Sequence, residues 1–320
     1  MPDRLGPKLD APLFDKAVIV GVGLIGSSLL RVARSQGLAR ELVAVDRSGD
    51  VCARASELGL ADRVTDDAAL AAQNADLVIL CTPVGAIGDV AAQIGPHLSP
   101  GCIVSDVGSV KSAVVTAVEP HLPPGVFFVP AHPVAGTEYS GPDAGFATLF
   151  HQRWCILTPP EGADAGAVEK LTAFWAAAGS KVEIMTPAHH DLVLAITSHV
   201  PHLIAFNIVG TAADLEEVTQ SEVIKFSAGG FRDFTRIAAS DPTMWRDIFL
   251  HNREAVLEML GRFNEDLAAL QRMIRWGDGQ GLHDLFTRTR AIRRSIIEQG
   301  QETAAADFGR RTVADPPADQ

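Results

Sequence analysis

The sequence predicts an α/β protein: an N-terminal doubly wound parallel sheet followed by an all-α region. Three observations carry this. Short continuous apolar runs alternate with helix-like stretches up to about residue 185. Glycines 21, 23 and 26 stand between the first such run and the first helix. Beyond Pro187 the strand-like runs largely stop, and long stretches rich in Leu, Ile, Val and Ala take over. Uninterrupted apolar strands belong to parallel sheets covered on both faces.

The elements follow in order. Residues 1–15 are a loose leader. Ala17–Val22 is a strand, Leu24–Gln36 a helix, and Leu42–Val45 a second strand ending at Asp46. Leu77–Cys81 is a strand stopped by Thr82-Pro83, and Val84–Ile94 a helix. Ile103–Ser105 is a strand ending at Asp106, and Phe127–Val129 another, followed by a loop with prolines on either side of His132. Trp154–Leu157 and Val182–Met185 are further strands flanking a helix over 165–178. Helices are expected over 188–212, 242–275 and 280–299, with Gly229-Gly230 breaking the middle. The division is a sheet domain at 1–187, a helical domain at 188–300 and a fraying polar tail at 301–320. The helices carry more apolar surface than a small bundle needs, which points to an oligomer interface.

Length and composition bound the function. At about 150 residues per domain, 320 residues predict two domains. Apolar residues at 47% and charged residues at 21% are globular values and exclude wholesale disorder. The net charge of −12 argues against a nucleic-acid groove or a polybasic membrane surface. Four cysteines without CxxC spacing read as reduced thiols rather than a disulfide scaffold. The N-terminus lacks the apolar stretch of a signal peptide. The weakly polar run Ala17–Leu30 is shorter than the ~18–20 residues of a membrane span. The expectation is a cytoplasmic protein.

Gly21-x-Gly23-x-x-Gly26 follows a strand and opens a helix, and Asp46 ends the next strand. Together these form the Rossmann-type dinucleotide fingerprint. The first glycine makes the tight turn, the second admits the pyrophosphate, and the third permits close packing of helix on strand. Leu24 and Ile25 bring backbone N–H groups to that helix N-terminus, where an anion is favoured. Asp46 is placed to bind the adenosine ribose and to repel a 2′-phosphate, so NAD is favoured over NADP. The adjacent Arg47 and Ser48 weaken that preference. Thr82-Pro83 lies at the strand ends where open α/β sheets bind ligands.

Four further motifs remain. In Asp106-Val-Gly-Ser109-Val-Lys111-Ser112, Ser109 either caps the next helix or presents its hydroxyl to nicotinamide and substrate. Lys111 is expected to be a solvated helix lysine rather than a proton shuttle. In His132-Pro-Val-Ala-Gly136-Thr137-Glu138, a histidine on the ligand edge suits proton removal from a hydroxyl near neutral pH, although taken alone a structural or surface histidine is the better reading. His199-x-x-His202 puts two imidazoles on one helical face, beside His189 and His190. No carboxylate or cysteine completes a zinc pattern, so they serve packing or a substrate pocket and no metal is expected. Arg232 and Arg236 are four apart and can share a helical face, with Asp233 placed to tether one. Ser240 or Asp241 caps the next helix, with Pro242 near its first position. A guanidinium there can grip a carboxylate, while without other information surface ion pairs around a helix turn are the better reading.

The joint order of VGVGLIGSSL, DVGSVK, AHPVAGTEYSG, TSHVPHLIAF and GGFRDFTRIAASDPTMWRDIF closely resembles the prephenate/arogenate (cyclohexadienyl) dehydrogenases of tyrosine biosynthesis. The resemblance spans roughly residues 16–275. It implies a Rossmann-type domain, an all-α dimerisation domain and a homodimer. It also implies NAD-dependent oxidative decarboxylation of prephenate to 4-hydroxyphenylpyruvate, of arogenate to tyrosine, or of both.

Residue by residue, His132 matches the histidine that accepts a proton or hydrogen bond from the ring C4 hydroxyl. Ser109 matches the serine that contacts that hydroxyl and the nicotinamide. Arg236 matches the arginine on a substrate carboxylate. Thr137, His199 and His202 match pocket residues, and Glu138 a gating acid. Two positions depart from the common pattern. Ala228 stands where relatives carry proline before the Gly-Gly, and Tyr139 where a basic residue is common. A 3-hydroxyacid-type dehydrogenase would need a lysine in the helical domain; Lys225 lacks that helix context. A sensing module without catalysis would lack His132 or Arg236.

Overall fold

The computed structural model describes residues 6, 9–137, 139–219 and 229–298. Glu138, Ala228, Lys225 and the expected tail lie outside the described residues. Residues 1–259 form one compact unit and 260–320 a second.

The first unit is built on a six-stranded parallel sheet. Its strands are β1 (Phe14–Val20), β2 (Ala39–Val45), β3 (Arg63–Thr65), β4 (Leu77–Leu80), β5 (Ile103–Asp106) and β6 (Phe127–Phe128). They lie in the order β3-β2-β1-β4-β5-β6, the doubly wound dinucleotide-binding order. Both faces are buried, which is why the strands are apolar without alternation. Along β4, Leu77 and Ile79 join the core that contains Leu29, Leu30, Phe174 and Trp175. Val78 and Leu80 enter the opposite core with Ile87, Ala91 and Ile94.

Helices α1 (Leu24–Gln36), α2 (Gly49–Glu57), α3 (Ala68–Ala72), α4 (Val84–Ile94) and α5 (Ser112–Val118) make the crossovers. The local signals are visible in the chain. Gly37, at φ 65°, ends α1, and the Ser48 and Asp67 side chains cap α2 and α3.

The sheet region departs from the sequence expectation in one important way. β7 (Ala131–Pro133), β8 (Trp154–Leu157) and β9 (Lys181–Ile184) form a separate three-stranded sheet rather than continuing the first. β7 runs antiparallel to β8, so His132 sits on a strand, paired with Ile156, and not on a stiff loop. The flanking prolines concealed this. β7 is an edge strand, where proline is tolerated. Pro130 still accepts from Thr158 N–H (2.9 Å), and Val134 N–H still donates to Trp154 (2.8 Å). Helix α6 (Ala165–Ala177) packs behind this sheet, burying Leu171, Phe174 and Trp175.

The helical region begins with α7 (Pro187–Leu194) and α8 (Val200–Thr219), joined by a π-helical segment, Ala195–His199. This replaces the uniform helix expected over 188–212. Pro187–Leu215 has a mean hydropathy of 1.7, so by length and composition it could cross a membrane, a feature the Ala17–Leu30 run had obscured. Its buried polar residues His190, Asp191 and His199 are hydrogen-bonded inside the protein, and α7 packs on α5. Leu192, Ile196, Ile208, Val209 and Leu215 are exposed on the single chain.

α9 (Gly229–Thr235) ends before Arg236, which opens a 3-10 turn through Ala239. Arg232 and Arg236 therefore do not share one continuous α-helix, as their spacing suggested. α10 (Pro242–His251) is capped by Asp241, whose carboxylate accepts Met244 N–H at 2.8 Å. α10 docks on α4. Gly85 makes the approach possible, because a Cβ there would stand 2.9 Å from Asp247 Oδ2. The long helix expected over 242–275 is broken at Asn252, and α11 runs from Arg253 to Trp276.

Residues 260–298 carry the rest of α11 and α12 (Gly279–Glu298), with a turn at Gly277, φ 70°. Leu267, Ile274, Trp276, Phe286 and Ile292 are exposed on these helices in the single chain.

Candidate active site

The C-terminal edge of the parallel sheet presents the glycine turn. Gly21 adopts φ 98°, and a Cβ there would lie 2.7 Å from the Cys81 carbonyl oxygen. A Cβ on Gly26 would come within 1.9 Å of the Gly21 oxygen, so only glycine lets α1 start this close to β1. Gly23 is different: nothing lies within 4 Å of its Cβ position, leaving open space at the start of α1. No side chain caps α1, so the N–H groups of Leu24, Ile25 and Gly26 are available at the positive end of the helix.

Asp46 ties this turn to the start of α2. Its carboxylate accepts Val22 N–H at 2.9 Å and Ser48 N–H at 3.0 Å. The Ser48 hydroxyl caps α2, while Arg47 is exposed. Pro83 opens α4, and the buried Thr82 hydroxyl has no hydrogen-bond partner. The residues therefore fit a dinucleotide: an open glycine cradle, unfilled helix N–H groups and an unsatisfied hydroxyl beside them.

The next strand end departs from expectation. Lys111 is not a solvated helix lysine; it is fully buried. Its Nζ pairs with Asp106 Oδ2 and donates to the Ala131 carbonyl at 2.7 Å. Asp106 in turn accepts Gly108 N–H (2.7 Å) and Ala131 N–H (3.3 Å). Burial pushes the Asp106 carboxyl up and the Lys111 ammonium down, and each partner's charge opposes that. The pair grips the backbone of Ala131 on both sides, and so fixes the residue before His132.

His132 Nδ1 lies 2.8 Å from His190 Nε2, with the rings edge to face. His190 Nδ1 lies 2.9 Å from Asp191 Oδ1. Asp191 also accepts Lys111 N–H at 2.7 Å and Ser112 N–H at 2.8 Å. It thereby satisfies the first turn of α5, the task that Ser109 might have served. Asn252 completes the cluster, donating to the Asp191 carbonyl at 2.9 Å and to His199 Nδ1 at 3.0 Å. This explains the helix break at Asn252: its side chain serves α7 and the π segment. Asp191 and Asn252 were missed in the sequence because nothing local marks them.

His202 donates from Nδ1 to the Ser198 carbonyl at 2.8 Å and stacks on Trp245 at 3.7 Å. Arg236 lies close enough for its charge to lower the His202 pKa. Burial is the main cause holding His132 well below the ordinary imidazole range, with His190, Lys111 and His199 adding to it. Burial likewise lowers His190, and brings His199 down to about 4. The cluster is therefore neutral at neutral pH. Burial opposes ionisation of Asp191, but hydrogen bonds from His190, Ser112 and Lys111 prevail and keep its carboxyl below the ordinary range.

Ser109 is half-buried on the loop between β5 and α5, with its backbone near His199. Thr137 lies in the exposed stretch after β7, where its hydroxyl accepts Tyr139 N–H at 3.3 Å. The structure thus gathers His132, Ser109, His199, His202 and Arg236, while Thr137 is further along the loop. Among the described residues, no three His, Cys, Asp or Glu side chains form a metal-binding group.

This fold and site define an oxidoreductase with a dinucleotide-binding domain. The family model described as the prephenate dehydrogenase nucleotide-binding domain matches residues 29–184, and that of the prephenate dehydrogenase dimerization domain matches residues 186–288. The first match begins inside α1, so the fingerprint glycines stand on the geometry above. Cyclohexadienyl dehydrogenase from Zymomonas mobilis is 42% identical over 89% of this chain and 97% of its own. Prephenate dehydrogenase from Bacillus subtilis is 31% identical over 87% of this chain and 75% of its own. Among solved structures, prephenate dehydrogenase from A. aeolicus in complex with hydroxyphenyl propionate and NAD+ superposes with a TM-score of 0.84. It is 33% identical and covers 91% of this chain and 100% of its own. Synechocystis arogenate dehydrogenase gives 0.75 at 31% identity, covering 88% and 99%. The chain belongs to the prephenate dehydrogenase family.

Proposed function

We propose that this protein oxidises and decarboxylates prephenate, arogenate or both, using NAD. The observation that carries the reading is His132: a neutral imidazole at the ligand edge, its Nδ1 hydrogen-bonded, with no described residue bonded to its Nε2. Bound NAD supplies the hydride acceptor. Gly21, Gly23, Gly26, Leu24 and Ile25 would hold its pyrophosphate, Asp46 and Arg47 its ribose end, and Thr82, Pro83 and Ser109 its nicotinamide end.

His132 takes the C4 hydroxyl proton as the C4–H bond gives up its hydride to the nicotinamide acceptor and the carbonyl forms, and Ser109 orients that hydroxyl. Arg236 holds a substrate carboxylate, with Thr137, His199, His202 and Glu138 around the ring and side chain. When the ring carboxylate leaves as carbon dioxide, its bonding pair makes the ring aromatic, and the phenolate oxygen recovers a proton. A neutral base suits this step, because it can accept the proton at neutral pH.

The domain division at 187/188, a homodimer through the helical domain and a cytoplasmic setting belong to the same reading. The exposed apolar helix residues and the dimerization-domain match support the dimer. The test is NADH formation by purified protein, with prephenate and arogenate offered separately, each with NAD and with NADP. Turnover of either substrate is expected, faster with NAD. No turnover in all four combinations, from folded protein that binds NAD, would overturn the reading.

A further inference from the structure

A line of hydrogen bonds runs from His132 to the N-terminus of α5: His132 Nδ1 to His190 Nε2, His190 Nδ1 to Asp191 Oδ1, and Asp191 to the N–H groups of Lys111 and Ser112. The direction of each bond follows from its far end. An ionised carboxylate can only accept. Asp191 already accepts two backbone N–H groups, and those bonds favour its ionised form. His190 must therefore donate from Nδ1, which leaves a lone pair on its Nε2. His132 must then donate from Nδ1 to that lone pair, which leaves a lone pair on its own Nε2. The opposite assignment sets the bare Nδ1 of His190 against a carboxylate 2.9 Å away, two acceptors with no proton between them.

We propose that His190 and Asp191 are positioning residues that lock His132 in its Nδ1–H form and carry away the charge it acquires. The charge-transfer part rests on the function proposed above. The substrate O–H bond breaks as an N–H bond forms at His132 Nε2. The Nδ1 proton of His132 passes to His190 Nε2, while His190 keeps its Nδ1–H bond to Asp191. One positive charge then lies beside one negative charge. The reverse path returns the proton to the phenolate oxygen after carbon dioxide has left.

Other charged and titratable groups surround the pair. Lys111 and His199 act on His132, while Lys111, Asp106 and Asp191 act on His190. Of these, Asp191 is the carboxylate in hydrogen-bond contact with the imidazole chain. This relay separates the roles of neighbouring residues: His132 touches substrate, and His190 and Asp191 act through it.

The deciding experiment is two-part. The full-length protein labelled with 15N-histidine is examined by NMR at neutral pH, with His132→Asn and His190→Gln assigning the signals. The expected result is His132 with a protonated Nδ1 and a bare Nε2; a protonated Nε2 overturns the proposal whatever the activity. In the second part, His190→Gln keeps an acceptor for His132 but cannot take its proton. Its KM for substrate should stay within about twofold, while kcat falls about tenfold. The acid limb of its kcat/KM profile should move to lower pH, because a proton taken up by the pair can no longer rest on an imidazole beside Asp191. Unchanged kcat with an unmoved acid limb overturns the relay, since a merely structural histidine would not move that limb. Asp191→Asn should move the limb in the same direction. If the glutamine variant does not fold, the tautomer in the wild-type chain decides. If the wild-type chain turns over neither substrate, the function fails while the tautomer still tests the lock.

Discussion

The two halves of the site are built differently. The cofactor edge is made of backbone: three glycines, open helix N–H groups and one aspartate, all within residues 21–48. The imidazole cluster is made of side chains from β7, α7, the π segment and the turn at Asn252, and apart from the adjacent His190 and Asp191 its partners are 53 to 80 residues apart. A backbone site is specified by where side chains are absent, and it is local. A side-chain site is specified by long-range closure, and every member depends on the others being in place.

The sharpest test of that contrast is His132→Asn, which should lower kcat by about 10²–10⁴-fold with the circular dichroism spectrum intact. Near-normal turnover would remove the chemistry from this side. Next comes pH. His199 titrates at about 4 in the folded chain and near 6.5 unfolded, so the unfolded state binds more protons between those values. Its contribution to stability is full above pH 6.5 and is lost as pH falls towards 4, a total of about 3 kcal/mol. Thermal unfolding from pH 8 down to 4 should show that fall, and His199→Gln should flatten it. An equal slope in the variant would assign the loss to other groups.

Arg236→Gln should raise KM for the anionic substrate by roughly 10–100-fold with little change in kcat. An unaltered KM would mean that another cation holds the carboxylate. The smallest effect belongs to the cofactor edge. Asp46→Ser should shift the NAD/NADP preference by about tenfold towards NADP. If the ratio does not move, the carboxylate serves only the two backbone N–H groups it accepts.

The same contrast explains what could be read from the chain. α1 and α4 run over the expected residues, 24–36 and 84–94, because a glycine turn and Pro83 mark their starts locally. β8 likewise matches at 154–157. Three of the departures have distant causes. Lys111 looks like a surface lysine until Asp106 and Ala131 close around it. β7 looks like a loop until β8, more than twenty residues later, pairs with it. The cap on α5 comes from Asp191, about eighty residues away, so no reading of the Ser109 neighbourhood could supply it. The family resemblance singled out His132, His199, His202 and Arg236, but said nothing of how His132 is held.

The π segment at Ala195–His199 has a consequence for chain length. Such a segment is an α-helix carrying one residue too many, usually kept where function needs it. Removing a single residue there would let regular winding return with the helix beyond it in nearly the same phase, because the wide turn has already absorbed the extra residue. His199 would keep facing Asn252, and His202 Trp245. In the regular part of the helix a one-residue deletion would instead turn everything downstream by about 100°. The wide turn is therefore where this helix can lose a residue while the two imidazoles stay in register with the base.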